Sequence, residues 1–112
     1  MSVEQSEVVD LMSIEPNSGQ VILTISDHLD WSDTLEHQKI LQRKFNAYLA
    51  FVESGEILQQ YPEAKGRLVA FDVVFKYKPD REGRLFLGRA RQVIESAGIT
   101  LRDKLFAESW NN

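Results

Sequence analysis

Residues 68–77, Leu-Val-Ala-Phe-Asp-Val-Val-Phe-Lys-Tyr, decide the fold of this chain. Apolar side chains occupy every second position from Val69 to Tyr77, which predicts a β-strand with one continuous apolar face. The opposite face is opened to water mainly by Asp72 and Lys76. Because a strand that is apolar on both faces belongs in the interior of a sheet, we expect this strand to be central and to end before Pro79.

Three further strands are predicted on either side of this central strand. Residues 8–14 and 20–26 have the composition of two strands, and the Glu15-Pro-Asn-Ser-Gly19 stretch between them is a dense turn signal. Together they predict a β-hairpin. Residues 99–106 alternate only weakly, which predicts a strand at the edge of the sheet.

A long amphipathic helix is predicted after the hairpin. Asp33 and Glu36 have the spacing of a capping box at its start, and Ser32 is a competing cap. Apolar residues from Leu41 to Val52 repeat at helical spacing and form one stripe. The helix should stop at Gly55, since glycine readily adopts the left-handed conformation that ends helices.

A second helix is predicted between Asp80, as its cap, and Gly98, as its stop. Its expected apolar stripe consists of Phe86, Ala90, Val93, Ile94 and Ala97. The element order is therefore β-β-α-β-α-β. Four strands with two helices on one face bury both stripes, so we predict an α+β fold, a two-layer sandwich with a four-stranded sheet.

The composition predicts a single globular domain over residues 1–112, with frayed polar ends at 1–7 and 107–112, the latter carrying Trp110. The chain contains no cysteine, which excludes disulfides, a thiolate nucleophile and a sulfur-ligated zinc site. No apolar run has the length of a signal sequence or a membrane span. We therefore expect a cytoplasmic protein that does not bind membranes.

Charge is distributed unevenly along the chain. Residues 1–63 contain eleven acidic and three basic residues, a net charge of −8, whereas residues 64–112 contain ten basic and six acidic residues, a net charge of +4. This asymmetry favours either a homodimer in which the two halves dock or capture of a charged partner. The basic stretch from Lys76 to Arg91 resembles a phosphate-binding surface, but the sequence pI of 5.1 and the lack of an RNA-binding signature predict no nucleic-acid partner.

Residues 27–36, Asp-His-Leu-Asp-Trp-Ser-Asp-Thr-Leu-Glu, are the best candidate for a functional segment. They place four carboxylates, a histidine and a tryptophan in the connection between the second strand and the first helix, and such connections commonly carry binding residues. We predict a partner-binding surface that attracts a basic protein, with the tryptophan as an anchor. Its residues are Asp27, His28, Asp30, Trp31, Asp33 and Glu36.

A simpler interpretation of this segment remains open. Asp30 and Asp33 can cap the helix while the other acids are solvated. Trp31 can pack on Leu35, four residues later, as a hydrophobic staple. In that case the segment shapes the start of the helix and has no partner.

Metal binding and catalysis are weaker alternatives. Asp27, His28, Asp30 and His37 are chemically suitable ligands for magnesium or calcium, but their spacing matches neither an EF-hand loop nor a His-Glu-x-x-His motif. No nucleophile elbow, phosphate loop or dinucleotide fingerprint occurs. We therefore predict no catalytic residues, no metal ligands and no cofactor, and we keep a small enzyme or metal protein based on His28 as the least favoured reading.

Several short stretches of the sequence together carry a resemblance to a known family. They are Val9-Asp10-Leu11, Leu23 to Trp31, Leu49 to Gly55, Tyr61-Pro62, Lys76 to Pro79 and Phe86 to Gly98. They resemble a family of small bacterial domains of unknown function, over roughly residues 8–106, nearly the whole domain. The resemblance implies no catalytic or ligand residues. Small cytoplasmic αβ proteins of this size and layout include immunity proteins, which neutralise a toxin by binding it, and this association rests on fold and size alone.

Overall fold

The structure, a computed structural model, describes residues 3–5 and 9–106. It confirms the α+β fold with a four-stranded sheet. In addition to the two long helices of the predicted order, the structure contains a third, short helix and a 3-10 turn at 62–64. The elements are β1 (Leu11–Ile14), β2 (Val21–Asp27), α1 (Thr34–Glu53), α2 (Glu56–Gln60), β3 (Val69–Phe75), α3 (Arg81–Ser96) and β4 (Thr100–Leu105).

The sheet has the order β1-β2-β3-β4. β1 and β2 form the predicted antiparallel hairpin, with Leu11 opposite Thr24. β2 pairs with β3, and β3 with β4, in parallel. The strand predicted to be central is therefore an interior strand, and the weakly alternating strand lies at an edge, as expected.

The two long helices cover one face of the sheet. Their buried residues pack against the residues of β2 and β3 that point to the same side, such as Leu23, Phe71 and Val73. The predicted stripe of α3 is wrong at Val93, which is 62% exposed, and at Ala97, which is the C-cap of the helix. The reason is that α3 turns a face made of Gly83, Phe86, Leu87 and Ile94 toward the core.

The other face of the sheet carries an ion-pair network. Arg102 donates from Nε to Asp72 Oδ1 over 2.6 Å, and its Nη2 lies 3.4 Å from Glu15 Oε2. The hydrogen bond that Arg102 donates to Asp72, together with Glu15, holds the pKa of Arg102 above its ordinary value. Because Glu15 follows β1 and Arg102 lies on β4, these side chains reach across the sheet. Ile22 and Ala70 are buried on this face, which is opposite the two long helices.

The N-terminal segment is tied to the domain. Val3 is fully buried, and its N–H donates to the carbonyl oxygen of Ser26 over 2.9 Å. The predicted frayed end is therefore wrong for residues 3–5, because a backbone pairing to β2 and an apolar side chain in the core hold them. The other predicted frayed end, residues 107–112 with Trp110, lies outside the described residues.

Within the described ranges, no helix combines the length and apolar character needed to cross a membrane.

Candidate functional site at the β2–α1 connection

The candidate site lies at the carboxyl end of the parallel strands. The connection from β2 to α1 and the connection from β3 to α3 leave the same edge of the sheet, where ligands bind in parallel sheets. Two hydrogen bonds join the connections. Trp31 Nε1 donates to the carbonyl oxygen of Tyr77, and Thr34 Oγ1 donates to Asp80 Oδ1, each over 3.2 Å.

The acidic side chains of the connection organise its backbone. Asp33 is the N-cap of α1 and accepts from the Glu36 N–H over 3.2 Å, as predicted. Asp30 forms an Asx turn and does not cap the helix, since its Oδ1 accepts from the N–H and the hydroxyl of Ser32. These two bonds hold the pKa of Asp30 below its ordinary value, and the bond from the Ser32 hydroxyl has the larger effect. The carboxylates at 30 and 33 are thus exposed but held in place.

A depression of about 320 Å³ opens between the connection and Tyr77. Four of the six residues predicted to bind a partner line it, and Leu29 and Ile40 add apolar surface. Tyr77, which the sequence analysis did not select, is 44% exposed beside them. The lining residues are His28, Leu29, Asp30, Ser32, Asp33, Glu36, His37, Ile40 and Tyr77.

Asp27 does not belong to this exposed surface. It is the last residue of β2, in register with Phe75, and only 2% of it is exposed. Its Oδ2 lies 2.5 Å from His37 Nε2, and its Oδ1 accepts from the Leu29 N–H over 3.1 Å. The prediction that Asp27 contacts a partner is therefore corrected, because its side chain points to the face of the sheet that the helices cover.

His37 is buried beneath the connection with both ring nitrogens engaged. Its Nδ1 lies 2.9 Å from the carbonyl oxygen of Asp30. Since a carbonyl oxygen can only accept, Nδ1 carries a hydrogen, and Nε2 shares one further proton with the Asp27 carboxylate. The Asp27–His37 pair is then neutral whichever atom holds that proton. Neither nitrogen is left for a substrate, so the pair lacks the free base that acid–base catalysis requires.

Trp31 also points inward. Its ring stacks on the His37 ring at 3.7 Å between centroids and 18° between planes, and it lies 5.9 Å from the Phe75 ring. Leu35, its predicted staple partner, is 67% exposed. Trp31 therefore packs on the core and supports the connection from below, and the prediction that it projects toward a partner as an anchor is corrected.

Gly83, in the first turn of α3, makes room for Trp31. A Cβ at this position would lie 2.7 Å from Trp31 Cζ3 and 2.9 Å from Cη2. We expect Gly83→Ala to displace the indole and to lower the free energy of unfolding by about 1–3 kcal/mol, the usual cost of overpacking. Chemical denaturation and tryptophan emission measure the two effects.

Gly88→Ala is the matched control on the same helix. A Cβ there meets nothing within 4 Å, so the exchange should stabilise α3 by roughly 0.5–1 kcal/mol through helix propensity. Equal gains in stability from both alanines would contradict the described packing of Trp31.

The described residues contain no group of three or more His, Asp or Glu side chains placed to hold a metal ion. His28 is exposed, and its Nε2 lies 3.3 Å from Glu4 Oε1. Of the four ligands considered from the sequence, Asp27 and His37 are bonded to each other.

Comparison with known proteins identifies a family but not an activity. Comparisons with curated proteins and with solved structures found no match. The match to a protein family covers residues 1–107, and the family is described as a family of unknown function. This agrees with the resemblance found in the sequence. The chain belongs to the DUF6572 family, whose function is unknown.

Proposed function

We propose that the chain is a non-catalytic protein-binding module whose partner is a basic protein. The observation that carries this proposal is the set of three exposed carboxylates, Asp30, Asp33 and Glu36, around the 320 Å³ depression beside Tyr77. Lys and Arg are absent from the described residues that line it. A surface of one charge sign steers a partner of the opposite sign and raises its association rate.

The chemistry of the depression suits arginine or lysine side chains of the partner. Asp30 and Glu36 offer oxygen acceptors for a guanidinium or ammonium group. Lys76 Nζ already lies 5.5 Å from the centroid of the Tyr77 ring, so that ring contributes apolar contact, and with Leu29 and Ile40 it can contact the methylene groups of a long side chain.

The support beneath the surface favours binding as well. Asp33 and Asp30 are held by backbone hydrogen bonds, and the Trp31–His37 stack holds the connection from below. A surface that is ordered before binding loses less conformational entropy when the partner arrives. Rigid presentation of charge is what occlusion of a partner requires.

An immunity-type role is the specific form of this proposal. The chain would occlude a basic bacterial toxin, for example of the nuclease type, inside the cytoplasm of the cell that produces both. Support for this form comes from the size and layout of the domain and from the acidic surface. Fractionation of the producing cell tests the cytoplasmic part.

The test is affinity capture at low salt with three forms of the chain. The neutralised variant carries Asp30→Asn, Asp33→Asn and Glu36→Gln. Asparagine keeps the N-cap and the Asx turn, so the backbone should be preserved. The control carries Glu53→Gln, Glu56→Gln and Glu63→Gln, three exposed acids elsewhere on the surface with the same total charge change.

We expect a basic protein to be retained by the native chain and by the control but lost by the neutralised variant. Mass spectrometry identifies it. Retention of the same proteins by all three forms, or retention of none, would contradict the proposal.

A homodimer is the second candidate, favoured by the edge strand β4. A strand at the edge of a sheet is where a strand of a second copy can pair. The Arg102 network lies on the sheet face opposite the two long helices. It argues against face-to-face packing of two sheets, because desolvation of its charges would be unfavourable. Sedimentation at low and high salt tests this candidate, and a monomer under both conditions would remove it.

A further inference from the structure

The Asp27–His37 pair lies where it can control the shape of the candidate surface. Both side chains are 2% exposed or less, and the pair is bonded to the backbone of the connection at two points, the Leu29 N–H and the Asp30 carbonyl oxygen. The Trp31 ring lies on the His37 ring. We propose that Asp27 and His37 are positioning residues that form an acid-sensitive latch, which keeps the β2–α1 connection closed until a second proton enters the pair.

The hydrogen-bond inventory of the pair fixes its proton count at one. With Nδ1–H donating to the Asp30 carbonyl oxygen, Nε2 and Oδ2 at 2.5 Å hold one proton between them. Without that proton, two lone pairs would face each other at this distance. With it, the pair has no net charge, which is the state that burial favours.

A second proton destabilises this arrangement. If His37 keeps both of its hydrogens, the added proton must reside on the Asp27 carboxyl group, where Oδ2 accepts from His37 and Oδ1 accepts from the Leu29 N–H. A carboxyl oxygen has a second lone pair that can hold this proton. The pair would then bury a net positive charge, which is strongly disfavoured. Separation of the pair from the connection lets water reach that charge, and the latch opens.

Opening reaches the candidate surface directly. Leu29 and His28 line the depression, and Asp30, which supplies one of its carboxylates, follows them. Release of the Leu29 N–H and of the His37 ring removes the support of Trp31. This consequence rests on the proposed function: opening of the latch at acidic pH would weaken binding of the basic partner.

The other titratable groups near the pair come from every element around it. They are Asp30, Asp33 and Glu36 on the connection and the start of α1, His28 with Glu4 from the N-terminal segment, and Lys76, Tyr77 and Asp80 from the β3–α3 connection. Asp30 is bonded to Ser32, Asp33 to the Glu36 N–H, and Asp80 to Thr34 and Gly83. His28 is the other histidine of the chain and lies on the same connection, so it is the group that needs a control.

Trp31 emission reports the latch without any partner. The experiment uses the full chain with Trp110→Phe, so that Trp31 is the remaining tryptophan, and follows its emission from pH 8 to pH 3 together with far-ultraviolet circular dichroism. We expect the Trp31 emission to change at a pH where the secondary structure is still intact. The same change should remain after His28→Gln.

Asp27→Asn supplies the matched variant. Its amide N–H can donate to Nε2 of a neutral His37 while its oxygen keeps the Leu29 bond. The proton that gives the site a net positive charge must then bind Nε2 of His37, because residue 27 can no longer hold it. Since an imidazole is more basic than a carboxyl group, the emission change should move to higher pH. An emission that stays constant until the circular dichroism is lost would overturn the latch, as would an unchanged midpoint in a folded Asp27→Asn.

Capture of the partner at pH 8, where the latch is closed, tests the proposed function separately. If the emission experiment contradicts the latch but capture at pH 8 succeeds, the proposed binding function is retained and the latch is rejected. If the emission experiment supports the latch but capture fails, the latch is retained and the proposed binding function is rejected.

Discussion

Lys44→Met is expected to lower the free energy of unfolding by about 3–5 kcal/mol, the typical cost of removing one partner from a buried ion pair. Lys44 is 0% exposed, and its Nζ donates to Asp10 Oδ1 over 2.9 Å and to the Gln5 carbonyl oxygen over 2.6 Å. Methionine preserves the length of the side chain but leaves the Asp10 carboxylate buried without its cation. Urea denaturation measures the loss.

The consequence should extend to the N-terminal segment. Asp10 also accepts from the Ser26 N–H over 2.9 Å, and its own N–H donates to the Tyr48 hydroxyl, whose pKa burial raises well above its ordinary value. Hydrogen exchange at Val3 and Ser26 should therefore accelerate in Lys44→Met. Lys39→Met, an exposed position on the same helix, is the control and should change stability by less than about 0.5 kcal/mol. Equal losses at both positions would contradict a buried Lys44.

Asp27→Ala is expected to cost a similar amount, about 3–5 kcal/mol, and to expose Trp31. The substitution leaves Nε2 of His37 without its hydrogen-bond partner and the Leu29 N–H without its acceptor. Denaturation measures the stability, and a red shift of the tryptophan emission in the folded state reports the release of the stack.

Asp103→Ala provides the comparison for this second prediction. Asp103 pairs with Arg91 over 3.0 Å, but both side chains are more than a third exposed, so the loss should stay below about 1 kcal/mol. If Asp27→Ala were no more costly than Asp103→Ala, the buried pair would not support the connection.

The strands and helix ends were predictable because local patterns encode them. The alternation in β3 and the caps at Asp33 and Asp80 depend on residues within a few positions of one another. Four residues of the candidate surface were also identified from the sequence, since carboxylates and a histidine crowd one connection.

The buried polar pairs were not predicted, because their partners are distant in sequence. Lys44 meets Asp10 across 34 positions and His37 meets Asp27 across 10, whereas a charged residue is expected at the surface by default. One signal was available. His37, Leu41, Lys44, Tyr48 and Phe51 are spaced by four, three, four and three residues, which places the histidine and the lysine on the buried stripe of α1.

The position of Trp31 also depended on tertiary structure. Its space is provided by Gly83, 52 positions later, and its hydrogen-bond acceptor by Tyr77. No local pattern links these residues. The sequence therefore left the indole either as an anchor for a partner or as a staple on Leu35, while the fold places it over His37.

The central claim is that Asp30, Asp33 and Glu36 attract a basic protein, and its most direct test is the association rate of the captured partner as a function of ionic strength. Electrostatic steering predicts a rate for the native chain that falls steeply with added salt, while the neutralised variant has a lower rate and a much weaker salt dependence. The Glu53, Glu56 and Glu63 control should retain most of the native dependence. Equal salt dependence for the native chain and the neutralised variant would contradict the account.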